Sequence, residues 1–491
     1  MKKIFQLLFP VILFFCLILS CSKGFLKVDP QGKAPATTVF QTQSDALEAV
    51  NAIYANLRGW SMCAFSSYAI ENLTSDDATK GSTPGDAAFM NFYANFTMTS
   101  TEGEISDYWN GNYQQIDLCN YAIDSIPKIN MDTALKSRLI AESRFVRAYA
   151  YFRLVRAFGN VVLRLHPMPI LVDSTLYLPR SDKAIVYDTI ENDLNDATAV
   201  LPVSYGPSDV GRATKGAALA LHAKVALYLK DWNKVLEYTH QVIGMGYSLY
   251  PNFEQMFRAV GRNCSESIFE MQAMDLAGNC NGNSNYSQPQ GPRDVSWIWG
   301  SGWGFNNPSP DLESEFEPGD TRLAGTILYR GEVTPEGDTV YNTATNPMYN
   351  MKAYEPTSEP QTCGYGDGQN QRIIRYAEVL LMDAEAANEL NQPAEALTYL
   401  NQVRARARGG NPAVLSDVTV TDQTTLRTAI YHERRAELAM EGDRFYDLVR
   451  TGRASQVLQS KGFKSGKNEI MPIPQNEIDL SGGIITQNPG Y

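Results

Sequence analysis

The residues of this chain that could do chemistry are few in kind. Its 491 residues include four histidines, His166, His222, His240 and His432, and 54 acidic side chains. No histidine pair has the H-E-x-x-H spacing that puts two imidazoles on one helix face, and there is no C-x-x-C, so the sequence marks no zinc site. His222 and His240 fall inside helical patterns and read as packed or surface side chains. Gly206 to Gly211 has the span of a phosphate loop, but Arg212 and Ala213 follow where Lys and Ser or Thr are required. The strongest case for acid–base work is the doublet Asp76 and Asp77, because a glycosidase needs two carboxyls roughly 5–10 Å apart across a sugar bond. Adjacency in sequence does not supply that geometry, and one such doublet is expected by chance among so many acids. The sequence therefore assigns no catalytic residue, no metal ligand and no cofactor. A structural calcium ion among the acidic loops has no EF-hand spacing to place it.

Tryptophan is more informative. Trp297, Trp299 and Trp303 place half of the six tryptophans in one Gly/Pro-rich stretch, PRDVSWIWGSGWGFNNPSPDL. Rings in a polar connector either bury locally, pinning the loop to a scaffold, or meet a ligand. Sugar rings offer flat CH-bearing faces to an indole, while Arg, Asp and Asn bind hydroxyls, and Arg293, Asp294, Asn306 and Asn307 flank the cluster. The expected ligand contacts are Trp297, Trp299, Trp303, Arg293 and Asn306, with Trp60, Tyr68, Asp76 and Asp77 as a weaker second patch. Trp109 shares helical spacing with Tyr113, Ile116 and Asn120 and belongs in a core.

Helices must position these loops. In Arg372 to Arg408, Ile373, Ala377, Leu380, Ala384 and Ala387 recur at helical spacing. Asn391-Gln392-Pro393 interrupts, and Ala396, Leu400, Val403 and Ala407 resume. Alanine lets two helices approach closely, and Pro393 suits the first turn of the second helix. This hairpin has the length of a tetratricopeptide unit. A second spans Ala217 to Met245, and Arg138–Phe158 with Ala184–Val200 suggests a third. The spacing predicts a mainly α fold, a tetratricopeptide-like scaffold with irregular insertions: repeat helices near 138–158, 184–200, 213–246, 372–408 and 425–450, and ligand-site insertions near 59–100 and 275–365. Residues 39–491 form one body.

The N-terminus sets the compartment. Lys2 and Lys3 precede an apolar run to Leu19, and Leu17-Ile18-Leu19-Ser20-Cys21 looks like a bacterial lipobox. Residues 1–20 read as a signal peptide and 21–38 as a lipidated N-terminus and tether; an ordinary secretory signal with an incidental Cys21 is the alternative. Cleavage removes Lys2 and Lys3 and takes the net charge from −12 to −14, leaving no basic footprint for nucleic acid. Of the remaining cysteines, Cys264 and Cys280 could close a loop on the oxidising side of a membrane.

Several longer stretches resemble the SusD/RagB family of outer-membrane nutrient-binding lipoproteins of Bacteroidetes. They are the lipobox with Phe25-Leu26-Lys27-Val28-Asp29-Pro30, Ala141 to Phe152 running into Phe158-Gly159-Asn160-Val161, Phe316 to Arg322, Arg375 to Ala386, Glu433 to Leu438, Glu441 to Arg444, and the close Gln487-Asn488-Pro489-Gly490-Tyr491. The resemblance spans essentially the whole mature chain. It implies a helical scaffold on one side and ligand-binding insertions on the other, and a lid seated on a SusC-like TonB-dependent transporter. Such a lid captures oligosaccharides, or in some branches peptides, without cleaving them, and is anchored in the outer membrane by lipid on Cys21. Glu378, Arg434, Arg435, Glu437, Arg444 and Asp447 are then expected in buried or semi-buried ion pairs that lock helices together. A peptide-capturing lid is the second reading, and a glycoside hydrolase a remote third.

Overall fold

The structure is a computed structural model that describes residues 40–168, 177–275, 279–293, 302–359 and 368–491. The signal and tether segments, Cys21, Trp297 and Trp299 lie outside the described residues. Ten helices carry the scaffold: α1 (Gln43–Leu57), α2 (Gly103–Ser125), α3 (Thr133–Phe158), α4 (Lys183–Val200), α5 (Lys215–Leu229), α6 (Trp232–Ile243), α7 (Tyr376–Glu389), α8 (Pro393–Ala407), α9 (Gln423–Leu438) and α10 (Arg444–Arg450). Each long helix from α3 packs on the next, α3 on α4, α4 on α5, α5 on α6, α6 on α7, and α7 on both α8 and α9.

Local chemistry fixes these boundaries. Thr214 accepts the Ala217 N–H to start α5, Lys230 turns left-handed at φ 58° to end it, and Asp231 accepts the Lys234 N–H to start α6. Asn391, at φ 56°, makes the same turn between α7 and α8, and Pro393 occupies the first turn of α8. The innermost helices α5 and α7 are buried on nearly every face. Their small residues, Ala217, Ala220, Ala223 and Ala226 on one and Ala377, Ala384 and Ala387 on the other, are fully enclosed. Trp109 is core as its spacing predicts, 1% exposed with its ring 5.0 Å from Phe158.

Four antiparallel two-stranded sheets complete the body: β1 (Ala78–Gly81) with β5 (Phe305–Pro308), β2 (Val161–Val162) with β3 (Arg180–Ser181), β4 (Ser267–Met271) with β8 (Gln371–Arg375), and β6 (Ile327–Tyr329) with β7 (Met348–Asn350). Strand β8 corrects one expectation. Arg372–Arg375 is extended rather than helical, because pairing with β4 and the capture of Arg375 by Glu266, Glu437 and Glu441 override the local periodicity. The repeat-helix segment near 425–450 comprises two helices, α9 and α10, divided where Met440 and Gly442 take positive φ.

Buried ion pairs bind the layers together. Arg375 is joined in the interior by Arg322, which bonds Asp320, Glu433 and Glu437, and by Arg406, which reaches Glu266 and Glu437. Lys224 meets Glu378 and Asp443, and Asp447 meets Arg434 and Arg450. With Arg435 on Asp77 and the half-buried Arg444 on Asp76, all six residues expected in buried or semi-buried ion pairs make them. The proposed loop between Cys264 and Cys280 does not form: Cys264 carries a free thiol, while Cys280 is disulfide-bonded.

Candidate functional site

The register of β1 on β5 builds the site. Ala78 opposes Pro308, Thr79 opposes Asn307 and Gly81 opposes Phe305, so the two insertions, far apart in sequence, meet along one ribbon. Gly81 sits at φ +71°, and a Cβ there would stand 2.3 Å from the Gly304 carbonyl oxygen, so only glycine permits the approach. The Ser82 N–H donates to that same carbonyl at 2.5 Å. Upstream of β1, Ala64 breaks the chain between two single helical turns, Trp60–Cys63 and Phe65–Tyr68, and turns Trp60 and Phe65 toward the incoming loop.

Four rings gather there. Trp60 lies 5.1 Å from Phe65 and 5.9 Å from Trp303 between centroids; Phe65 stands edge-on to Trp303 at 5.8 Å and to Phe305 at 5.0 Å. Trp60, Phe65 and Trp303 are half-buried, whereas Phe305 is enclosed and acts as the floor. Edge-on and tilted contacts of this kind stiffen the rings while leaving faces open. A cleft of about 340 Å³ opens beside them, lined by Phe65, Asp86, Arg293, Gly302, Trp303 and Phe305.

The rim is polar and pre-organised. Arg293 Nη1 donates to Asp86 Oδ2 at 2.7 Å and to Ser82 Oγ at 2.6 Å, and the Ser82 hydroxyl donates to Asp86 at 2.8 Å. The Ser82 hydrogen bond and then Arg293 hold Asp86 below the ordinary carboxylate range, so it stays an acceptor. Lys80 donates to the carbonyls of Thr83 and Asp86 and lies 5.4 Å from the Phe305 ring, which fixes the loop carrying Asp86. Apolar faces beside a charged donor–acceptor pair suit a ligand that is flat and hydroxylated rather than highly charged.

Likeness to known proteins sharpens this picture. The family model described as "SusD family" matches residues 265–491, and one described as "Starch-binding associating with outer membrane" matches residues 24–227. A solved laminarin-binding SusD-like protein superposes with a TM-score of 0.80 at 32% identity, covering 92% of this chain and all of that one. The chain belongs to the SusD family. Among curated relatives, SusD-like protein P2 of Formosa agariphila is 28% identical over the whole of both chains, and a SusD-like protein of Bacteroides ovatus is 28% identical over 97% of this chain and 89% of its own.

Within this SusD-family body the expected contacts divide. Trp303 and Arg293 line the cleft, and Trp60 packs against its Phe65 and Trp303 rings without lining it. Asn306 does not: it is fully buried at φ 54°, and its amide donates to Gln290 Oε1 at 2.7 Å, bracing the loop from within. Asn307 is buried in β5 as well. Tyr68 is 3% exposed and supports Phe65 from behind at 5.4 Å. Asp76 and Asp77 are structural. Arg444 clamps Asp76 with two hydrogen bonds of 2.8 and 2.7 Å, and Arg435 bonds Asp77 at 2.9 Å and Asp76 at 3.0 Å. Burial opposes the Asp76 charge, but the two guanidiniums outweigh it and hold its carboxyl below the usual range. At Asp77 burial wins and pushes the carboxyl up, yet that side chain is 1% exposed and bonded to Arg435, out of reach of a glycosidic bond. Phe65, Phe305, Lys80, Ser82 and Asp86 are site residues that sequence reading passed over. The W-x4-F spacing of Trp60 and Phe65 and the W-x-F spacing of Trp303 and Phe305 were the available signals.

Among the described residues, no helix is long and apolar enough to cross a membrane.

Proposed function

We propose that this SusD-family protein is a cell-surface lipoprotein, anchored in the outer membrane through Cys21. It captures oligosaccharides and hands them to a SusC-like TonB-dependent transporter without cleaving them. The observation that carries the reading is the half-buried ring set of Trp60, Phe65 and Trp303 above the Arg293–Asp86 pair. Such a surface stacks sugar faces and reads hydroxyls at its rim. The laminarin-binding relative, alike over its full length, makes laminarin oligosaccharides the first ligands to test.

The test is calorimetric titration of the purified protein with laminarin oligosaccharides, other plant, storage and mucin glycans, and a peptide digest, with chromatography of the sugar afterwards. Saturable glycan binding with the sugar recovered intact is the expected result. Heat only from the peptides would replace the glycan reading with a peptide-capturing lid, and shortened sugar would replace it with a hydrolase. Membrane attachment is tested separately: Cys21→Ser should move the protein from the membrane fraction to the soluble one. Continued sedimentation in cells lacking the transporter would overturn lipid anchoring.

A further inference from the structure

We propose that His240, Asp383 and Glu395 form a binding site for one divalent transition-metal cation of the zinc type, which staples three helices of the scaffold. The residues come from α6, α7 and α8 respectively, on the side chains where two successive hairpins meet. One ligand atom from each lies within 4.8 Å of the other two. His240 Nε2 stands 2.6 Å from Glu395 Oε1 and 3.4 Å from Asp383 Oδ2. Ligand bonds of about 2.0–2.2 Å in a tetrahedron separate neighbouring ligand atoms by about 3.4 Å, so the second distance already fits and the first needs only a small opening. His240 and Glu395 can supply it, with side chains 48% and 28% exposed, whereas Asp383 is fully enclosed.

Asp383 sets this cluster apart from an ordinary surface ion pair. The Thr239 hydroxyl donates to its Oδ2 at 2.6 Å, an outer hydrogen bond of the sort that orients a metal-bound carboxylate. Its Oδ1 is buried without a hydrogen-bond partner, and a buried carboxylate oxygen left so is costly. Elsewhere in the interior, Glu437, Glu266 and Asp447 are each answered by arginine. Asp383 and Glu395 share only His240 among the described residues. One imidazole nitrogen with two carboxylates favours zinc and its neighbours over calcium or magnesium, which prefer all-oxygen sets. On binding, the metal takes the Nε2 lone pair and any proton on Nε2 leaves to solvent.

The experiment uses the purified protein after chelator treatment, titrated with zinc chloride and, in parallel, calcium chloride, with melting temperature followed in both. One equivalent of zinc should bind and raise the melting temperature, while calcium has no effect. His240→Ala and Glu395→Gln lie at the surface and should fold normally, with metal-free melting near wild type, yet lose zinc affinity by tenfold or more. His432→Gln, distant from the cluster, should bind as wild type does. Failure of the wild type to bind zinc overturns the site, and so does undiminished binding by His240→Ala, which would locate the ion elsewhere.

Discussion

Trp60 and Trp303 come from different insertions of the chain, yet their ring centroids stand 5.9 Å apart at 46°. The β1–β5 ribbon joins them, and both remain half-buried, so their faces are held in place without being consumed by the core. Trp303→Ala and Trp60→Ala should each weaken glycan binding while leaving the melting temperature within a degree or two. Stacking on an aromatic side chain contributes about 1–3 kcal/mol in the nucleic-acid analogue, equivalent to roughly 5- to 150-fold in Kd. Titration calorimetry beside a thermal melt measures both. Unfolding in place of weakened binding would show that the rings are structural.

Arg293 tests the rim separately from the rings. Its ion pair with Asp86 is part-exposed, and such pairs contribute only about 0–1 kcal/mol to stability. A hydrogen bond from a charged group to a ligand hydroxyl contributes more, about 1.5–3 kcal/mol. Arg293→Ala should therefore cost glycan affinity at least tenfold with little change in melting. Equal losses in both would mean that Arg293 serves the loop and not the ligand.

Asp76 and Asp77 make the opposite prediction. Removing one partner of a buried ion pair leaves an uncompensated charge, at a cost of about 3–5 kcal/mol. Arg444→Ala and Arg435→Ala should each lower the stability measured by denaturant unfolding by that order. Glycan affinity of the fraction still folded should stay close to wild type, because neither pair reaches the cleft. A folded Arg444→Ala protein of normal stability that no longer binds sugar would return the doublet to the ligand site.

The sequence made some of these relationships legible and hid others for identifiable reasons. Alanine at helical spacing marks α5 to α8 because close helix packing demands it over several turns. β1 and β5 are four residues each, too short for a period of two to stand out, so their pairing and the cleft it creates were invisible. The partner of Asp77 is Arg435, 358 positions away, and no local pattern tells a clamped carboxylate from a free one. Asparagine at 306 suits a sugar hydroxyl by type, and only the fold shows that its amide faces Gln290. The His240, Asp383 and Glu395 cluster draws one residue from each of three helices, so no motif spacing marks it.

Glu104 supplies a prediction whose sign depends on pH. It lies in the first turn of α2, where the helix dipole favours a negative charge. Burial is the larger influence, followed by the nearby Asp107, and together they push its carboxyl up to about 7; its Oε2 has no hydrogen-bond partner. An acid whose folded pKa is raised binds its proton more tightly in the native state, so ionisation disfavours folding. Between pH 4.5 and about 7 the unfolded chain gives up this proton first, and stability drains away across that window. Glu104→Gln keeps the shape and removes the charge. It should match wild type near pH 4 and exceed it at pH 8 by roughly 1–3 kcal/mol, with the difference opening between those values. Denaturant unfolding of both proteins at several pH values measures it. A difference that stays constant with pH would show that Glu104 ionises in the folded protein as readily as in the unfolded chain.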